Sequence, residues 1–262
     1  MQILEHGQEH ERTLLFFSCT AEPVWAFADT IALLSRKWHV FQVVYDGHQP
    51  EYPGDFTSVE QTVDEVTEYL KSRGVSRLDG AYGCSMGGAC LTRLLALGLF
   101  PIDRAIIDGG ITPYQLPWLV RRLLLARDVL SFKMAANNRK ILEAAFPPER
   151  FTPTGHDPKK EYDDMAEYLK TFSDRTIRNV FWSANNYTLP QMPAKISTKI
   201  TYWYGDDEKK DRRRDIQFIK HYFPQTRIHG IPKMAHAELV MVHPEEFCRY
   251  AEKFLALQAE EA

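Results

Sequence analysis

The chain has 262 residues, 44% hydrophobic and 26% charged, which suits one large core or two small ones and excludes a low-complexity sequence. Its 15 Phe, 12 Tyr and 5 Trp exclude disorder over most of the length. A net charge of −3 supplies no basic face for neutralising phosphates, so nucleic acid is not an expected partner.

No apolar run approaches the roughly 18 residues of a membrane span. Residues 1–12 are polar and lack the layout of a secretory signal. Cys19, Cys84, Cys90 and Cys248 form no CxxC pair, a pattern that suits a reducing cytoplasm better than a disulfide scaffold or a zinc site.

In chain order, residues 13–17 (TLLFF) form a continuous apolar run, as expected of a strand buried on both faces. Pro23 opens a helix with Phe27, Ile31 and Leu34 on one side. Residues 39–45 (HVFQVVY) read as a second strand, followed by a turn-rich loop. Thr57 with Glu60, or Ser58 with Gln61, fits a capping box, and Val59, Val63, Val66 and Leu70 then form one apolar face before Gly74 stops the helix. A strand is expected over 78–83, a helix over 89–99, and a strand over 104–107 that ends at Asp108-Gly109-Gly110.

From residue 112 to about 193 helix-like segments and turns replace the alternation. Leu116, Leu119, Leu123 and Leu124 suggest one buried helix face, and Pro147-Pro148 divides the block. Alternation then resumes with a strand over 200–204, a helix over 211–223, a strand over 227–231 and a helix over 245–257. The basic run at 209–214 reads as a solvated helix start. This order predicts an α/β fold: a mostly parallel sheet with helices on both faces, its core formed by 1–111 and 194–262, interrupted by a helical insertion over 112–193.

One segment carries chemistry. Gly83-Cys84-Ser85-Met86-Gly87-Gly88 contains a G-x-S-x-G pentapeptide between an expected strand and an expected helix. Such a bend must be tight, and any side chain at the flanking glycines would collide with neighbouring backbone. Ser85 then projects above the sheet edge, beside a helix N-terminus that favours a developing oxyanion. Cys84 points into the sheet as a small core residue. A serine hydroxyl needs a base, and His236, after the last expected strand, sits where an imidazole can reach across the strand ends. The base needs an acid; Asp206, Asp207 and Glu208 share one turn, and Asp108 ends an earlier strand. His6, Glu9 and His10 do not match a zinc motif, and no nucleotide-binding signature is present.

The order Ser85, an acid within 205–208, then His236, on alternating strands and helices, resembles the α/β-hydrolase fold. The resemblance implies that the acid is Glu208, three residues after the glycine ending its strand, with Asp207 next. It also implies that 112–193 is a helical cap, and that backbone amides of Met86 and Cys19 form the oxyanion hole. The family commonly carries His-Gly where this chain has Phe17-Ser18-Cys19-Thr20, which reshapes that hole, and Ala235 replaces the glycine often found before the histidine.

The function expected is a serine hydrolase acting on a small or medium carboxylic ester, thioester or amide through an acyl-enzyme, with a small-molecule acyl substrate and no metal or organic cofactor. An acyltransferase would use the same residues, and a non-catalytic ligand-binding protein is the alternative of a different class. Trp25, Trp118 and Trp182 are expected pocket residues. Oligomeric state is not legible.

Overall fold

Continuous apolar runs become strands covered on both sides. In a computed structural model that describes residues 1–52 and 54–255, these runs build a seven-stranded sheet. The strands are β1 (Gln2–His6), β2 (Thr13–Phe17), β3 (His39–Val44), β4 (Leu78–Cys84), β5 (Ile102–Asp108), β6 (Lys199–Gly205) and β7 (Arg227–Ile231), in the order β1-β3-β2-β4-β5-β6-β7. β1 pairs antiparallel with β3, and the remaining pairings are parallel. Strand order reverses between β2 and β4, so their carboxyl ends flank the crevice where open α/β sheets bind ligands.

β1 is the strand absent from the sequence expectation. Its polar side chains are satisfied by neighbours rather than by burial: His6 Nε2 lies 3.1 Å from Gln42 Oε1, and Tyr69 donates to Glu5 Oε1 at 2.6 Å. Ile3, paired with Val43, supplies its buried contact.

After β2 the chain makes a short helical turn, Val24–Phe27, and helix α1 (Ala28–Leu34). α2 (Val59–Ser72) starts at Ser58, whose Oγ accepts from Gln61 N at 3.1 Å; of the two capping boxes read from the sequence, the structure uses this cap. Val59, Val63, Val66 and Leu70 are fully buried. α3 (Met86–Leu97) begins before the expected Ala89, because Gly87 and Gly88 are already helical and press against the backbone of β2 and of the β5 turn.

Between β5 and β6 lie α4 (Trp118–Asn137), α5 (Arg139–Ala145), α6 (Pro148–Phe151), α7 (Pro158–Lys170) and α8 (Asp174–Asn186). They share a small core of Ala136, Leu142, Tyr162, Leu169, Phe172 and Ile177. The apolar face expected at the start of α4 is not buried: Leu119 is 61% and Leu123 63% exposed. α4 instead packs through its later turns, by Val129, Phe132, Ala135 and Ala136.

α9 (Arg213–Tyr222), α10 (Glu238–Val242) and α11 (Pro244–Leu255) complete the chain. The expected end of the last helix, residues 256 and 257, lies outside the described residues. Buried residues of α2, α3 and α9 form the core on one face of the sheet; those of α1, α10 and α11 form it on the other. Among the described residues, no helix is long and apolar enough to cross a membrane.

Candidate active site

Ser85 stands at the bend between β4 and α3, with φ 56° and ψ −117°. A non-glycine residue persists there only where its surroundings over-determine it. Two hydrogen bonds do so: Ser85 N donates to the Asp108 carbonyl at 2.9 Å, and the Ser85 carbonyl accepts from Ile111 N at 3.3 Å. A Cβ on Gly83 would strike the Gly87 carbonyl, and one on Gly87 would strike the carbonyls of Phe17 and Ser18. The bend thus requires both outer glycines of the motif. Met86 is buried in the first turn of α3, with the partial positive charge of that helix end directed at the bend.

His236 follows β7. Its Nδ1 lies 2.8 Å from Oε2 of Glu208, which sits in a short helical turn, Asp206–Glu208, after β6. Glu208 is buried and also accepts from Gly205 N at 3.1 Å and from Arg212 Nε at 2.8 Å. Burial raises its pKa, but the hydrogen bond and charge of His236, the charge of Arg212 and the Gly205 amide together lower it to about 2. An ionised carboxylate only accepts, so Nδ1 carries the proton and Nε2 of neutral His236 is left as an acceptor.

The neighbouring acids have other partners. Asp207 pairs with Arg150 Nη1 at 2.6 Å. Asp206 is exposed. Asp108 accepts from Tyr82 at 2.7 Å, and burial pushes its pKa up to about 6.

Several residues around the histidine went unmarked in the sequence. Gly109 has φ +54°, and a Cβ there would lie 2.7 Å from Cε1 and Nδ1 of the His236 ring. Buried Glu238 accepts from Ala235 N at 2.6 Å and from Arg150 Nε at 2.6 Å, and Arg150 Nη2 donates to the Lys233 carbonyl at 2.9 Å. Arg150 on α6 therefore holds both ends of the turn carrying His236. Arg212 departs from the solvated reading of the basic run: it turns inward between Glu208 and Asp215, reaching the latter at 3.3 Å. Asp215 Oδ1 in turn accepts from Thr112 N and Oγ1 at 2.9 and 2.7 Å. The i, i+4 and i, i+3 spacings were visible, but which way the guanidinium faced was not.

Ser85 and His236 line one cavity of about 410 Å³, together with Cys19 after β2. Much of the remaining wall comes from the helices between β5 and β6, including Phe132, Phe146, Tyr162, Met165 and Phe181. Trp25 lines it and is 41% exposed. Trp118 and Trp182 are not among the lining residues: Trp118 is 63% exposed beneath Arg122, and Trp182 packs under Arg121. Cys84 is buried beside Cys19, and burial pushes its thiol well above the usual range. A larger groove, about 1090 Å³, lies among Arg104, residues 191–200 and Phe223, and none of Ser85, Glu208 and His236 contributes to it.

A sheet that turns at Ser85 and returns an imidazole to the same crevice defines a protein class. Residues 6–250 match the alpha/beta hydrolase family, and the chain belongs to that family. Among solved structures it is similar to a putative alpha/beta hydrolase family protein from Desulfitobacterium hafniense, with 16% identity, TM-score 0.77, and 97% of this chain and 100% of that one covered. It is also similar to a structure described with the carboxylesterases of the ammonia-oxidising thaumarchaeon Nitrososphaera gargenis, at 16% identity, TM-score 0.71, and 98% and 94% covered. An epoxide hydrolase from Vigna radiata matches at 15% identity, TM-score 0.73, and 97% and 93% covered. No curated protein matches by sequence.

Proposed function

We propose that the protein is a serine hydrolase that cleaves a small or medium carboxylic ester, thioester or amide through an acyl-enzyme on Ser85. The observation that carries this reading is the hydrogen bond from His236 Nδ1 to an ionised, buried Glu208, which leaves Nε2 as the acceptor on a residue that lines the same cavity as Ser85. His236 takes the Ser85 proton as Oγ attacks the substrate carbonyl, then delivers it to the leaving group. Glu208 orients the ring and stabilises the imidazolium. Amides of Met86 and Cys19 receive the oxyanion. Water, deprotonated by His236, then releases the acid and restores Ser85.

In this reading residues 112–193 are a cap on a core of 1–111 and 194–262, supported by the cavity wall that α4–α8 supply over Ser85. Two of the similar structures, one from the carboxylesterase study and one a marine microorganism esterase, carry names that agree with acyl hydrolysis, whereas the epoxide hydrolase does not. A cytoplasmic setting belongs to the same proposal and is supported by four buried, unpaired cysteines.

The test is labelling by a fluorophosphonate together with turnover of chromogenic esters of graded acyl length. Wild type should label and turn over, and Ser85→Ala should do neither. Folded wild-type protein that resists the label would make this a ligand-binding member of the family instead.

A further inference from the structure

The cavity above Ser85 has a charge pattern that acyl hydrolysis alone does not call for. Glu22, Asp128 and Glu161 line it, and no lysine or arginine does among the described residues; His236 is its basic group. Asp128 is paired with Arg127 at 2.7 Å and Glu161 with His156 at 2.7 Å. Glu22 differs from both. Its Oε2 is buried and has no hydrogen-bond partner among the described residues. Trp25, Phe132, Phe146, Phe151 and Tyr162 line the same cavity, and aromatic ring faces attract cations. Glu22 lies three residues after Cys19, so it is fixed by the same segment that ends β2.

A buried, unpartnered carboxyl oxygen in an apolar wall is costly unless a ligand completes it. An anionic substrate group would find no lysine or arginine among the described residues of the cavity wall. An ammonium group would gain a charge-assisted hydrogen bond, a favourable field and aromatic faces together. We propose that Glu22 selects substrates carrying a protonated amine on the portion that fills this cavity. The proposal deepens the serine-hydrolase reading and rests on it for which molecule carries the amine; the amine site itself does not depend on turnover.

Burial raises the Glu22 pKa to about 8, so without a cationic partner the carboxyl holds its proton at neutral pH. An ammonium ligand binds the ionised form and must displace that proton. Its affinity therefore rises with pH up to about 8 and levels off above. The other titratable groups facing this region are Tyr162 and Tyr168 on α7, both raised by burial, the Cys19 thiol, Asp128, Glu161 and His236. All of them persist when Glu22 alone is changed.

The test is calorimetric titration of Ser85→Ala protein with hexylammonium and with its neutral counterpart hexanol, repeated on Ser85→Ala protein that also carries Glu22→Gln. Hexylammonium should bind at least about tenfold tighter than hexanol near pH 8, and Glu22→Gln should abolish that preference. Between about pH 6 and pH 7 the preference should grow several-fold with Glu22 present and stay flat in the Glu22→Gln protein. Equal binding of the two ligands, or a preference that survives Glu22→Gln, would overturn the proposal. Fluorophosphonate labelling separates the two readings: labelled wild type without amine preference removes the Glu22 site alone, and amine preference in unlabelled protein removes the hydrolase alone.

Discussion

The Nδ1 atom of His236 lies 2.8 Å from Oε2 of Glu208, across 28 residues of sequence, and the same carboxylate oxygen receives Arg212 Nε at 2.8 Å. Two donors thus converge on one buried carboxylate. Replacing it by Glu208→Gln keeps the shape but offers His236 an amide in place of a full negative charge. The expected loss in kcat is on the order of 10³–10⁴-fold, with Asp207→Asn and Asp206→Asn near wild type, read from steady-state ester hydrolysis.

The same carboxylate links stability to acid. Its pKa falls from 4.5 to about 2 in the folded protein, so the unfolded chain binds the proton more readily. The stabilisation, on the order of 3 kcal/mol, is present above about pH 4.5 and is lost as pH falls through about 2. Glu208→Gln should flatten that part of the stability profile in urea melts taken along a pH series. An unchanged acid limb in the variant would contradict the linkage.

Gly109 makes room for the imidazole. Gly109→Ala would set a methyl group 2.7 Å from ring atoms of His236, at a residue whose φ of +54° already disfavours a side chain. The ring must move off Glu208 or the backbone must shift. A fall in kcat of about tenfold or more is expected, with KM for a short ester little changed and loss of the low-field histidine proton resonance in NMR.

Arg150 reaches from α6 to Asp207, Glu238 and the Lys233 carbonyl. Arg150→Met keeps the apolar stem but removes these bonds, leaving buried Glu238 with the Ala235 amide and with His243 Nε2 at 3.6 Å. The turn bearing His236 should loosen, lowering stability by about 1–3 kcal/mol and raising amide exchange at 233–238. Thermal melts and hydrogen exchange would measure both.

Arg212 neutralises Glu208 and Asp215 together, and its own pKa is raised despite burial, by Glu208 first and Asp215 among the other contributors. Arg212→Met would deprive two buried carboxylates of the cation they share. The expected destabilisation is about 3–5 kcal/mol, recovered in part by adding Asp215→Asn, as a double-mutant cycle in denaturant would show.

Much of the fold was legible because its causes are local. Runs such as TLLFF and HVFQVV are apolar enough to need cover on both faces, and the apolar spacing of Val59, Val63, Val66 and Leu70 permits little but an amphipathic helix. The bend at Ser85 was legible for a similar reason: two glycines around a serine between a strand and a helix describe a steric requirement that can be read without coordinates. β1 escaped because Ile3 and Leu4 are flanked by polar residues on both sides, too short an apolar run to mark a strand, and the segment becomes strand by pairing with β3.

By itself, the sequence determined the strand–helix alternation and the bend, since each depends on residues a few positions apart, and the order of Ser85, the acidic turn and His236 is read directly along the chain. Tertiary structure alone decided which of Asp206, Asp207 and Glu208 meets His236, because consecutive residues of one turn point in different directions and only the packed partner selects among them. It likewise turned Arg212 inward, left Trp118 and Trp182 off the cavity, and brought Glu22 onto its wall. Those outcomes depend on where distant helices come to rest, and no spacing within a single segment encodes that.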